Sequence, residues 1–321
     1  MPTPPPQPFR WTFSSAGGAP PDRLGALTDG AEPPPLWYLP ALTECAGKVL
    51  ARAGGADLCF VGRSLDSMHD LLTGAFEGAP APARPRLLRL PLSLRLTRRG
   101  WDPVVVRRFR EHLAAVGLEP HALARRDRPI ALVDVVHRGG TYDVLHGALA
   151  DWIEESRESW PVIRRKLRYV GVTIREKTSP NTWRWQQHTE DGWARTLPAG
   201  HVVNVSLAYG AWGYFGNDQT KVQPSFPPYR WFDEDTAAPW RHDGLPSALA
   251  ESLALVEAGR SRAVREQLIR TIGSEPGFAD RAVRALVPPL RGQSRSVSRS
   301  RSVSRSGSRS SITGRSRSSR P

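Results

Sequence analysis

Cysteine is almost absent from this chain of 321 residues: only Cys45 and Cys59 occur. They stand 14 positions apart, with no CxxC pair and no neighbouring pair of histidines, which excludes a disulfide scaffold and argues against a zinc site. Cys59 lies inside an apolar run and reads as a small buried hydrophobe. No stretch approaches 18 uninterrupted apolar residues, so no membrane span is expected. The opening Met1-Pro-Thr-Pro-Pro-Pro6 has neither the basic nor the apolar region of a signal peptide. Together these absences lead us to expect a cytoplasmic protein. Acidic residues are also in deficit, 31 against 45 Lys and Arg, for a net charge of +14. Residues 291–321 contain nine arginines and no acid, which leaves +5 for the rest of the chain. So modest a charge does not by itself make the body a nucleic-acid binder.

What is present is enough apolar material for a core, 39% of residues, including 11 Trp. Residues 1–36 are rich in Pro and Gly and are expected to be extended or disordered. An α/β domain is expected over 37–180. Ala41–Ala53 reads as a helix and Asp57–Val61 as a short apolar strand running into Gly62-Arg63-Ser64. A second helix follows, with Leu65, Met68, Leu72 and Phe76 at helical spacing and Ser64 as its N-cap. Leu88, Leu90, Leu92, Leu94 and Leu96 alternate with less apolar residues, a period of two, and Pro91 marks that strand as a sheet edge. Asp102-Pro103 opens a helix that Gly117 closes, with Val105, Phe109, Leu113 and Val116 on its core face. A further strand is expected at Leu167–Arg175. Strands alternating with crossover helices predict a mainly parallel sheet with helices on both faces, which takes its ligands at the carboxyl ends of the strands.

Residues 181–240 hold six of the 11 Trp and form a Trp-rich extension, with a strand at Val202–Val205. Its rings serve either to stack a planar base or as the core of a small appended unit. The polar run Gly216–Lys221 reads as a turn, with a functional loop as the alternative. Residues 241–290 read as helical, with helices at Ser247–Val256, Ala263–Ile272 and near Ala279–Leu286. The Arg-Ser segment 291–321 has too little apolar area to fold.

The most informative stretch is Ile130-Ala-Leu-Val-Asp-Val-Val-His-Arg-Gly-Gly-Thr141. An apolar run ends in an acid, passes two glycines and reaches a threonine that opens a helix. Leu145, Leu149 and Ile153 make one row of that helix, and Val144, Ala148 and Trp152 the next. Strand, glycine turn and helix N-terminus together form an anion cradle, because free N–H groups and the positive helix end converge there. Gly139 and Gly140 would let the backbone curl around a phosphate. Asp134 would then face sugar hydroxyls or a bound metal.

With Val133-Asp134-Val135-Val136-His137-Arg138-Gly139-Gly140-Thr141, the chain resembles the type I phosphoribosyltransferases over roughly residues 41–176. The resemblance implies a phosphoribosyltransferase-like fold and a site for phosphoribosyl pyrophosphate with Mg²⁺. By it, Arg138, Gly139, Gly140 and Thr141 hold the 5-phosphate, and Asp134 holds the ribose hydroxyls directly or through the metal. Asp134 and His137 take the catalytic positions. Gly62, Arg63 and Ser64 hold pyrophosphate, and Arg98 and Arg99 belong to a loop over it. Three positions depart from the family pattern. Val133 replaces the first of a usual acidic pair, Arg138 replaces a small hydroxyl residue, and His137 stands where purine-protonating enzymes carry an acid.

The activity expected from the resemblance is transfer of a phosphoribosyl group to an unidentified acceptor. A second reading, favoured by the single carboxylate, is a nucleotide-binding regulator without turnover. A third is a nucleic-acid-interacting protein acting through its Arg-Ser segment. Expected partners are phosphoribosyl pyrophosphate or a nucleotide, a second copy in a homodimer, and weakly bound polyanions at the tail. Leu58–Leu65 mimics one strand of an RNA recognition module, but the aromatic partner strand that such a module needs is missing.

Overall fold

The computed structural model describes residues 11–14, 21–92, 101–177, 183–223 and 241–292. In chain order the elements are α1 (Leu39–Arg52), β1 (Asp57–Val61), α2 (Asp66–Ala75), β2 (Leu87–Leu90), α3 (Pro103–Ala114), α4 (Pro120–Arg125), β3 (Ile130–Val135) and α5 (Gly140–Glu155). Then come α6 (Trp160–Ile163), β4 (Leu167–Ile174), β5 (Val202–Leu207), α7 (Tyr209–Gly213), a π-helical turn (Tyr214–Asp218), α8 (Leu245–Arg260), α9 (Arg262–Ser274), α10 (Arg281–Arg284) and α11 (Val287–Arg291).

The five strands among the described residues form one sheet in the order β2-β1-β3-β4-β5, and each of their pairings is parallel. Its inner strands are apolar on both faces, as a sheet covered twice requires. Leu58, Phe60, Ala131 and Val133 enter one core layer with α1, α2, α8 and α9. Cys59, Val61, Ile130 and Leu132, the alternate positions, enter the other with α3 and α5. The strand order reverses direction between β1 and β3. At such a switch point the loops leaving two neighbouring strands diverge to opposite faces and open a crevice at their carboxyl ends.

β2 is an edge strand that ends at Leu90, just before Pro91, where proline is tolerated. The alternating leucines beyond Leu92 lie outside the described residues, as do Arg98 and Arg99. Helix α3 begins as expected: Asp102 accepts from the N–H groups of Val104 and Val105, both at 2.8 Å, and Pro103 follows at N1. Asp102→Ala should therefore cost about 1 kcal/mol, read as a lower denaturant midpoint with an unchanged slope.

Three local expectations are corrected. Ser64 does not cap α2, which starts at Asp66 behind Leu65 without a side-chain cap. Thr141 does not open α5. Gly139, in the left-handed region at φ 90°, is the N-cap, and Thr141 is the second helical residue. Residues 11–14 and 21–36 are more ordered than their composition suggests: the Asp22 N–H donates to the Thr12 carbonyl, the Thr12 N–H donates to the Asp22 carboxylate at 2.6 Å, and Phe13 packs with Leu245, Leu249 and Val256. The Trp-rich stretch also supplies β5, which pairs along β4, so the boundary expected at residue 180 passes through the sheet.

Candidate functional site

Three segments meet at the switch point. The first is Gly62-Arg63-Ser64, directly after β1. Gly62 has φ 73°, and a Cβ placed on it would come 3.9 Å from Asp134 Oδ1. The turn after β1 and the acid at the end of β3 therefore face each other across the strand reversal. The second segment is Asp134–Thr141. The third, unforeseen, is 214–223. Arg63 Nη1 donates to the carbonyl of Gln223 at 2.9 Å. Lys221 Nζ donates to the carbonyls of Phe215 at 3.0 Å and Ser64 at 3.5 Å, and also to the side chain of Gln219. Two cationic side chains thus tie the loop after β1 to the segment after β5.

That third segment is held from beneath by a buried carboxylate. Glu251 of α8 accepts from the hydroxyls of Tyr38 and Tyr214, and from Gln219 Nε2 at 2.8 Å. Gln219 Nε2 also donates to Ser67 Oγ at 2.7 Å. Burial and the neighbouring Glu251 push the Tyr38 and Tyr214 hydroxyls well above their ordinary range, so both remain protonated donors. The π-helical turn Tyr214–Asp218 leads straight into Gln219, whose N–H closes it on the carbonyl of Tyr214.

Asp134 is buried, at 7% exposure. Burial raises its carboxyl well above the usual range; the N–H of Val135, donating at 2.7 Å, and the positive charge of Lys221 act in the opposite direction. Behind it, the Tyr142 hydroxyl lies 3.0 and 3.1 Å from the carbonyls of Leu132 and Val170, which seats the first turn of α5 on β3 and β4. α5 carries no side-chain cap, so the N–H groups of its first turn are left for another acceptor.

The glycines of the cradle have different surroundings. Gly139 is packed: a Cβ there would come 2.8 Å from the ring of Trp185, which also covers Gly171 in β4. Gly140 is exposed and has nothing within 4 Å of its Cβ position. Its side of the turn is open to a ligand. His137 and Arg138 are exposed, and Thr141 is half-buried. His137 lies between rings of the Trp-rich stretch, nearly parallel to Trp183 with centroids 6.4 Å apart and at the same distance from Trp212.

Asp134, His137, Arg138, Gly139, Gly140 and Thr141 therefore share one turn, with Gly62, Arg63 and Ser64 facing it. Lys221, Gln219 and Glu251 escaped sequence reasoning. For Gln219 and Lys221 the one signal was a polar run after aromatics, which suits a turn or a functional loop; for Glu251 there was none beyond its place in an expected helix. Among the described residues, no group of three or more His, Cys, Asp and Glu side chains is arranged to hold a metal. Asp134 faces the Gly62 turn but is itself buried. Among the described residues no helix is long and apolar enough to cross a membrane.

Comparison with family models, with curated proteins and with solved structures gave no match.

Proposed function

We propose that the crevice between β1 and β3 binds phosphoribosyl pyrophosphate or a nucleoside monophosphate, and that transfer of the phosphoribosyl group to an acceptor is the activity it serves. The observation that carries this reading is the meeting of two glycine turns at the strand reversal, with Asp134 between them. The uncapped first turn of α5 and the open side of Gly140 offer N–H groups to a phosphate. Asp134 would hold the ribose hydroxyls or a magnesium ion that arrives with the phosphates. Arg63 and Lys221 would bring positive charge to the pyrophosphate side, where leaving-group charge develops as the glycosidic bond breaks. The acceptor would enter from the side of His137 and Trp183.

Binding without turnover is supported by a second observation. Asp134 stands alone, and its raised proton affinity leaves less negative charge to stabilise a developing oxocarbenium ion. The two readings separate cleanly. Phosphoribosyl pyrophosphate with Mg²⁺, at one hundred times its Kd, should stabilise the fold by about 2.7 kcal/mol, visible as a melting shift of several degrees. Calorimetry should return a single site. Release of pyrophosphate identifies an enzyme, and saturable binding without release identifies a regulator. No shift with either ligand at millimolar concentration would remove both readings.

A further inference from the structure

Because the strands among the described residues run parallel, the sheet has one end at which all of them enter. The switch-point turns lie at the other end, where the strands leave. The segments that lead into β2, β3 and β4 are Arg84-Pro-Arg86, Arg125-Arg-Asp-Arg-Pro129 and Arg164-Arg-Lys166. Backbone hydrogen bonds carry the ladder into them: the Leu58 N–H donates to the Arg86 carbonyl, the Asp57 N–H to that of Pro129, and the Ile130 N–H to that of Lys166. The three segments are therefore fixed in strand order. From first to last they span roughly 14 Å, three interstrand spacings.

Eight cationic side chains stand in this row; Arg86, Arg125 and Arg165 are exposed, and the others are half-buried. Three carboxylates lie within the segments or pair with them. Asp57, buried at the start of β1, pairs with Arg126 at 2.6 Å and with Arg128 at 3.6 Å. Glu158 pairs with Arg125 at 3.3 Å, and Asp127 is exposed. The excess of five equals the +5 carried by the whole of residues 1–290. A charge that is modest over the body is thus collected at one end of its sheet.

The row is held in place by the backbone around it. Arg128 donates to the carbonyls of Arg84 at 2.6 Å and Pro82 at 3.2 Å, and Arg164 Nη1 donates to that of Thr196 at 3.4 Å. Guanidinium forks presented this way match phosphate oxygens in pairs. None of the three segments contains an aromatic residue, so nothing in them stacks the bases of a single strand. Their residues are Arg, Lys, Asp and Pro alone, without a hydroxyl or amide side chain to meet a base edge or a ribose 2′-hydroxyl. Phosphate is what such a row can recognise, and a duplex that lacks the 2′-hydroxyl is its simplest source.

We propose that the entry end of the sheet binds the phosphate backbone of duplex DNA without regard to sequence. The surface lies at the opposite end of the strands from the switch-point crevice and stands or falls independently of the phosphoribosyl reading. The test is fluorescence anisotropy of the full chain with a labelled DNA duplex over a range of salt. R86Q/R165Q, two changes at exposed side chains, should weaken binding roughly tenfold at low salt and lower the slope of log K against log salt by about 1.8. R86K/R165K keeps the charge and should keep the slope. An unchanged slope in R86Q/R165Q would place the binding elsewhere on the chain and overturn the proposal. Phosphatidylserine vesicles or polyglutamate that compete on equal terms would overturn it too, by reassigning the surface to a membrane or to an acidic protein. Tighter binding of a single strand or of an RNA duplex, or a strong preference for one sequence, would contradict recognition through the DNA backbone.

Discussion

Asp134→Asn should abolish stabilisation by phosphoribosyl pyrophosphate and, in the same experiment, make the ligand-free protein more stable. The two effects have one cause. The carboxyl is buried, and burial raises its proton affinity above that of the unfolded chain. In the pH range between the unfolded value, about 3.9, and the raised folded value, the folded state therefore binds more protons, and stability falls as pH rises. Asparagine keeps the acceptor for the Val135 N–H at a similar size but cannot ionise. The variant should match the wild type near pH 4 and outlast it increasingly above, by about 0.5–2 kcal/mol where a functional group has been held at the expense of stability. It should also lose the ligand gain of about 2.7 kcal/mol at one hundred times Kd. Melting curves over pH, with and without ligand and Mg²⁺, check both parts. Wild-type ligand shifts in the variant would show that Asp134 does not touch the ligand.

Gly259→Ala should destabilise the protein by about 3 kcal/mol, at the upper end of the usual cost of overpacking. α2 and α8 meet backbone to backbone through a reciprocal pair of glycines. A Cβ on Gly259 would overlap the Leu71 carbonyl, and one on Gly74 would overlap the Val256 carbonyl. Neither neighbour is a side-chain end that can swing away, so the helices must move apart. Gly273, in α9, is the control. A Cβ there meets nothing within 4 Å, and Gly273→Ala should be neutral or stabilising by up to about 1 kcal/mol from helix propensity. Denaturant midpoints of the two variants should move in opposite directions. A Gly259→Ala protein as stable as the wild type would show that the helix pair is loosely packed. Because Glu251 lies on α8, the same variant should also loosen Gln219 and Lys221 and weaken ligand binding.

The parts legible in the sequence are those with a local cause. β1 was bounded at Asp57–Val61 because the four apolar residues after Asp57 stop at a glycine that turns with positive φ. α3 was bounded by an Asp-Pro cap and by Gly117, both local signals. The turn after β3 was recognisable because an acid, two glycines and a helix start fall within residues 134–141. Strand order was not legible: β3 pairs with β1 rather than β2, and no local pattern encodes that choice. Gly139 was read as room for a phosphate, whereas the space beside its Cα is filled by Trp185, some 46 positions on. Lys221 could not be foreseen, because its place depends on a π-helical turn and on a tyrosine 213 residues before Glu251.

The pairing of β5 with β4 has a consequence for synthesis on the ribosome. Tyr169, Val170 and Val172 are fully buried, and β5 completes the ladder along them. From the moment Ile174 leaves the ribosome until Leu207 follows it out, β4 has no neighbour on that side. At ordinary rates of translation those 33 residues take about 2–7 seconds. For that interval the nascent chain presents an apolar strand edge able to pair with any other, including the same edge on an adjacent chain of the polysome. The residues between the two strands, from Arg175 onward, include many charged and polar side chains, the kind that discourages such pairing.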